Sequence, residues 1–160
     1  MNYEIIKLDK SKILITLSGA ITEEAEITLQ ALLQKIKDEK ITDIYINFSK
    51  VTRVNSLGVR SWVTFMRALG NQRKVSFQEC PSEIIMQINM IPSFLCHAKV
   101  DSFYTNYICP KCQHNENHLI YTRDVPKGQH PKDLNCPNDN ETMKSEELEE
   151  EYFTFLDRRG

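Results

Sequence analysis

The sequence predicts an α/β protein in which helices pack on a mixed β-sheet, with a small cysteine-rich extension at the C-terminal end. Three observations point there. Over residues 3–108, β-rich runs alternate with helical stripes in the order ββαβαβαβ, and two opening strands followed by αβ units build a mixed sheet. Hydrophobic residues make up 41% of the 160 and charged residues 26%, an ordinary globular composition with enough apolar side chains for a core. Cysteine, histidine and proline then gather after about residue 108, where the alternating apolar pattern stops.

The elements follow in order. Residues 3–8 and 13–17 are β-rich runs separated by Asp9-Lys10-Ser11, which reads as a hairpin turn. After Ser18-Gly19, Thr22 is placed to cap a helix whose first turn holds Glu23, Glu24 and Glu26. Ile21, Ala25, Leu29, Leu32, Leu33 and Ile36 form its apolar stripe, close to the 3.6-residue period. Residues 44–48, Ile-Tyr-Ile-Asn-Phe, are a short strand of buried character. Val59, Trp62, Val63, Met66 and Leu69 mark a second amphipathic helix that starts at Leu57 and ends at Gly70. Residues 75–77 are a further strand, and Ile84, Ile85, Ile88 and Ile91 give a third helical stripe, stopped by Pro92. Residues 100–108 alternate weakly and read as the last strand.

Charge divides the chain. Residues 1–132 carry 17 Lys/Arg against 13 Asp/Glu, whereas residues 133–160 carry 3 against 9. Together with the cysteine distribution this sets a boundary near Asn106, giving domains 1–105 and 106–160, with no Gly/Ser-rich linker and no internal repeat. A net charge of −2 argues against a nucleic-acid partner, which normally demands a basic face. No apolar run approaches the ~20 residues of a membrane-spanning helix, and Met1-Asn2-Tyr3-Glu4 is not the basic-then-apolar start of a signal segment. A cytoplasmic protein is the expectation. Five cysteines, an odd number without an export signal, favour a metal site or buried thiols over a disulfide framework. Cys80 and Cys96 lie beside apolar runs and are expected to be buried as small hydrophobes.

The segment Asn55-Ser56-Leu57-Gly58-Val59 follows a strand and opens a helix. Free backbone N–H groups there favour an anionic or polar ligand, and Gly58 would let a partner approach the backbone closely. The simpler reading is that Asn55 or Ser56 is a helix N-cap. Leu17-Ser-Gly19, residues 43–49 leading into Val51, and Asn55-Ser56-Leu57-Gly58-Val59 together give residues 3–105 a resemblance to the STAS domain, the fold of bacterial anti-sigma-factor antagonists and of the cytoplasmic tails of sulfate transporters. The antagonists carry Asp-Ser-(Ser/Thr)-Gly-Leu at the last place, and a partner kinase phosphorylates the second hydroxyl residue to break binding. Aligned on Gly58, that acceptor is Leu57, which has no hydroxyl, and the family's aspartate is Asn55. The resemblance therefore implies a non-catalytic signalling or scaffold module that binds a protein partner, anti-sigma-factor-like or another signalling protein. Its surface would comprise Asn55, Ser56, Leu57, Gly58 and Arg60. Phosphate, if any, would fall on a neighbour such as Ser56.

Cys109-Pro-Lys-Cys112 opens the second part, and Cys136-Pro-Asn-Asp139-Asn140 follows after 23 intervening residues. Two Cys-Pro-x-Cys knuckles at such a spacing would be a zinc ribbon, each tight turn aiming two thiolates at one tetrahedral ion. Here Asp139 stands where the fourth cysteine would be, and Asn140 fills a position that requires positive φ, which asparagine tolerates. The segment thus resembles a zinc-ribbon appendage in which Cys109, Cys112 and Cys136 hold zinc with Asp139, or alternatively His130, as fourth ligand; His114 and His118 are further candidates. A structural ion is the expectation, because about 50 residues with few apolar side chains need a staple. The competing class is a zinc-dependent or thiol-based enzyme, for which no general base stands in a recognisable motif. The acidic run 145–151 leading into Tyr152-Phe-Thr-Phe155-Leu156 reads as a short C-terminal helix that buries its aromatic residues.

Overall fold

The computed structural model describes residues 1–37 and 40–158. The first sheet begins with an antiparallel hairpin, β1 (Asn2–Lys7) and β2 (Lys12–Ile21). Asp9 closes its turn by accepting hydrogen bonds from the Ser11 amide and hydroxyl at 2.7 and 3.1 Å. Helix α1 (Ala25–Lys35) leads to β3 (Asp43–Val54), α2 (Ser56–Leu69) to β4 (Lys74–Gln78), and α3 (Ser82–Met90) with α4 (Pro92–Leu95) to β5 (Lys99–Val100). The order is β1-β2-β3-β4-β5, with every pair from β2 onward parallel. This is the mixed sheet with packed helices that the element order predicts. Its alternating inward residues, Ile13, Ile15, Leu17, Ile44, Ile46, Phe48, Val75 and Phe77, are buried. At the centre the Trp62 ring meets Phe48, Phe77 and Phe94, and its Nε1–H donates to the Phe94 carbonyl at 3.0 Å.

Several elements differ from expectation for identifiable reasons. Thr22 does not cap α1: Ile21 still belongs to β2, the Thr22 carbonyl accepts a turn hydrogen bond from the Ala25 amide, and the helix starts at Ala25 without a side-chain cap. Strand β3 runs on past Phe48 because Val51, Arg53 and Val54 pair with the end of β2. The pairing shifts register around Gly19, whose φ of 83° suits glycine alone among common residues. Pro92 does not only stop α3; it opens the short α4, where its missing N–H costs nothing.

The expected last strand, 100–108, breaks at Asp101. Lys99–Val100 closes the first sheet, while β6 (Ser102–Ile108) opens a second, antiparallel one. Asn106, the compositional boundary, lies inside β6. This sheet has the order β7-β6-β9-β8, with β7 (Asn115–Tyr121), β8 (Leu134–Asn135) and β9 (Thr142–Ser145). The C-terminal segment forms two short turns, α5 (Glu149–Tyr152) and α6 (Thr154–Asp157). They bury Tyr152, Phe153, Phe155 and Leu156, and the rings of Phe153 and Phe155 stand edge-on to Phe103 of β6. The Tyr152 hydroxyl donates to the Tyr104 carbonyl at 2.6 Å, and Asn89 Nδ2 donates to the Tyr152 carbonyl at 2.8 Å, so these turns tie α3 to the second sheet. Among the described residues, no helix is long and apolar enough to cross a membrane.

Candidate metal centre and helix-start surface

The two knuckles are built alike. In the first, the Cys109 amide donates to the His114 carbonyl at 2.8 Å and the Gln113 amide donates to the Cys109 carbonyl at 3.0 Å, with Gln113 at φ 62°. In the second, the Cys136 amide donates to the Glu141 carbonyl at 2.8 Å and the Asn140 amide to the Cys136 carbonyl at 2.9 Å, with Asn140 at φ 58°. Position for position, Asp139 is the counterpart of Cys112. The left-handed residue in each turn folds the chain back so that the side chain before it faces the other knuckle.

Consequently one ligand atom from each of Cys109, Cys112, Cys136 and Asp139 lies within 4.8 Å of the other three. Cys112 and Cys136 sulfurs are 3.4 Å apart, and the Cys109 sulfur is 3.6 Å from Asp139 Oδ1. A tetrahedral ion with thiolates at about 2.3 Å and a carboxylate oxygen at about 2.1 Å sets S–S at about 3.8 Å and S–O at about 3.6 Å. Those two separations lie within about 0.4 Å of that arrangement, and the remaining ones are bounded by 4.8 Å. Three soft thiols and one carboxylate are also a donor set that zinc accepts. These residues lie close together and can hold a metal ion. The cluster's local hydrogen bonding is uneven. The His114 amide beside the Cys112 sulfur lowers that thiol's pKa, and the Glu141 amide, donating to Asp139 Oδ1 at 3.1 Å, holds the carboxyl below its ordinary range. Burial pushes the Cys136 thiol up to about 11.

The histidine alternatives stand elsewhere. His130 Nδ1 lies 3.5 Å from Glu149 and its ring packs 5.2 Å from Phe153, so it belongs to the C-terminal turns and is not among the four clustered donors. His114 and His118 both flank Glu116. All five cysteines are free thiols, and Cys80 is buried as expected. Cys96 is not: it is exposed, with φ 54° after α4, because Pro92 redirects the chain before the apolar stripe reaches it.

At the other candidate site, Asn55 is the N-cap of α2 in extended backbone, its Oδ1 accepting from the Gly58 amide at 2.8 Å. Its Nδ2 donates to Glu23 Oε2 at 2.9 Å, and that bond holds the Glu23 carboxyl below its ordinary pKa. Ser56, Leu57 and Arg60 are exposed, Leu57 by 54%. Leu57 and Arg60 border a groove of ≈ 430 Å³ between α1 and α2, together with Glu26, Leu29 and Phe65. The expected role of Gly58 at this surface is corrected. Gly58 is buried, and a Cβ there would stand 2.0 Å from the Ile21 carbonyl oxygen and 2.8 Å from the Thr22 amide nitrogen. The close backbone approach that needs glycine is to this chain's own β2, not to a partner. Nothing in the local sequence signals it, because Ile21 is 37 positions away.

No family model matches the sequence, and no curated protein matches it. Among solved structures, the chain is similar to the anti-sigma factor antagonist SpoIIAA in its unphosphorylated form, at 20% identity and a TM-score of 0.39, over 48% of this chain and 71% of that one.

Proposed function

We propose that the chain is a non-catalytic protein-interaction module of STAS type, that its partner surface is the start of α2 and the adjoining groove, and that a structural zinc ion staples the second sheet. The observation that carries the interaction reading is Leu57. A large apolar side chain stands 54% exposed in the first turn of an amphipathic helix whose other large apolar side chains are buried or half-buried, at the position where the resembling family carries its phosphoacceptor. Leucine takes no phosphate, so contact here is constitutive and apolar rather than switched by charge. Ser56, exposed next to it, is left as the neighbouring hydroxyl and as no more than a minor acceptor. Arg60 and the Asn55–Glu23 pair supply the polar rim of a signalling partner's footprint.

For the metal, three thiolates and the Asp139 carboxylate complete a four-coordinate sphere, which supports a structural rather than a water-activating ion. The deciding experiment is a pull-down from native cells with wild type and Leu57→Asp. Loss of one partner in the variant, with an unchanged circular dichroism spectrum, is expected; equal recovery of every partner would move the interface elsewhere. Elemental analysis of the purified protein is expected to give one zinc per chain, with less in Asp139→Ala and wild-type content in His130→Ala.

A further inference from the structure

The carboxyl ends of β4 and β5 open on a second, larger cleft of ≈ 860 Å³. It shares no lining residue with the groove beside Leu57. Its volume lies within the ~300–1,000 Å³ of small-molecule sites.

Three features of its wall have no role in the interaction surface or the metal centre. The first is backbone strain. Four described residues other than glycine have positive φ, and the two knuckle residues Gln113 and Asn140 need it to turn. The other two, Glu79 at φ 49° and Cys96 at φ 54° with ψ −118°, both line this cleft. Strained residues persist where the surroundings over-determine them, and they gather at ligand sites. The second is His97. Both of its ring nitrogens are shielded from solvent and have no hydrogen-bond partner among the described residues. The residue as a whole is half-buried, so the shielded nitrogens carry unmet hydrogen-bonding capacity on the protein side of the wall. The third is charge over an apolar bed. Lys99, Arg123 and Arg158 line the cleft with Glu79 and Asp101, alongside Leu95 and Phe155. The Glu79 carboxylate is already engaged by Asn47 Nδ2 at 2.9 Å and the Tyr104 hydroxyl at 3.0 Å. Three cations against two carboxylates leave the lining one positive charge in excess.

We propose that this cleft binds a small organic anion with an apolar body, its head group met by Lys99 and Arg123. Arg158, also on the lining, donates from its guanidinium to the Ile88 and Asn89 carbonyls at 3.2 and 3.4 Å. Arg123 is held over the Tyr121 ring at 5.0 Å, with its Nε 3.8 Å from Asp124.

The test titrates the full chain with 1-anilinonaphthalene-8-sulfonate, an aromatic anion whose fluorescence rises on apolar contact. One saturable site is expected. Lys99→Glu and Arg123→Glu, both at exposed positions, should each weaken it about tenfold, or ~1.4 kcal/mol. Lys7→Glu makes the same change in net charge at the opposite edge of the sheet, where Lys7 pairs with Ile13, and should leave the affinity within about twofold. The His97 amide and ring resonances should shift during the titration. Unsaturable binding, equal weakening by Lys7→Glu, or no effect of Lys99→Glu and Arg123→Glu would overturn the proposal.

Discussion

The two sheets are held together by different physics. The first has helices packed on a continuous apolar core, with Trp62, Phe48 and Phe77 in mutual contact at its centre and Phe94 stacked on Trp62. The second is apolar only where it meets the first: Phe103 lies under Phe153 and Phe155, and Tyr107 and Met143 continue the layer. At its far end, where β6 runs into Cys109 and β8 into Cys136, sulfur and carboxylate converge. One ion bridging the two knuckles, as proposed, would close both turns at once. The contrast means that a lesion in the first region should be global and a lesion at the far end of the second should be local.

The largest effect should come from Trp62→Ala. It removes the central ring and leaves the Phe94 carbonyl without its donor, so a loss of about 3–5 kcal/mol in denaturant unfolding is expected, with both regions melting together. A loss confined to α2, with the sheet retained, would blur the contrast.

Gly58→Ala comes next. The added Cβ meets Ile21 backbone, not a flexible side chain, so relief requires moving α2 away from β2, and at least the ~1–3 kcal/mol of an overpacked site is expected from the same measurement.

A smaller effect should follow from Asn55→Ala, about 1 kcal/mol for the lost cap, read by thermal melts. The same variant tests a pH dependence. Glu23 has its pKa lowered in the fold by the Asn55 amide, so its contribution is fully present above the ordinary glutamate range and is lost as pH falls through the lowered value. Wild type should therefore lose a small increment of stability at acid pH that Asn55→Ala does not. If both follow the same acid curve, the Asn55–Glu23 bond contributes nothing.

What the sequence reveals and what it hides follow the same division. Helical stripes such as Leu29–Leu32–Ile36 and the inward residues of β3 are legible because burial repeats with the period of the element. The extension of β3 through Val54 is not, since Ser49, Lys50, Thr52 and Arg53 are exposed and the pairing depends on β2. Strand β7 escapes notice because Asn115-Glu-Asn-His118 is polar on both faces and is ordered by pairing with β6. The two turns and the convergence of Cys109, Cys112, Cys136 and Asp139 are legible, including the left-handed Asn140, because a knuckle turn is a local device with fixed spacing. The role of Gly58 and the exposure of Cys96 are not, because each is decided by a backbone that approaches from elsewhere or by a turn that Pro92 redirects.

The most direct measurement is amide hydrogen exchange across the whole chain, with and without a strong zinc chelator. On removal of the ion, the amides of Cys112–Gln113, Asn140 and β8–β9 should lose protection while those of β2, β3 and β4 keep theirs. Simultaneous loss in both sheets, or protection at the knuckles that the chelator leaves untouched, would contradict the account.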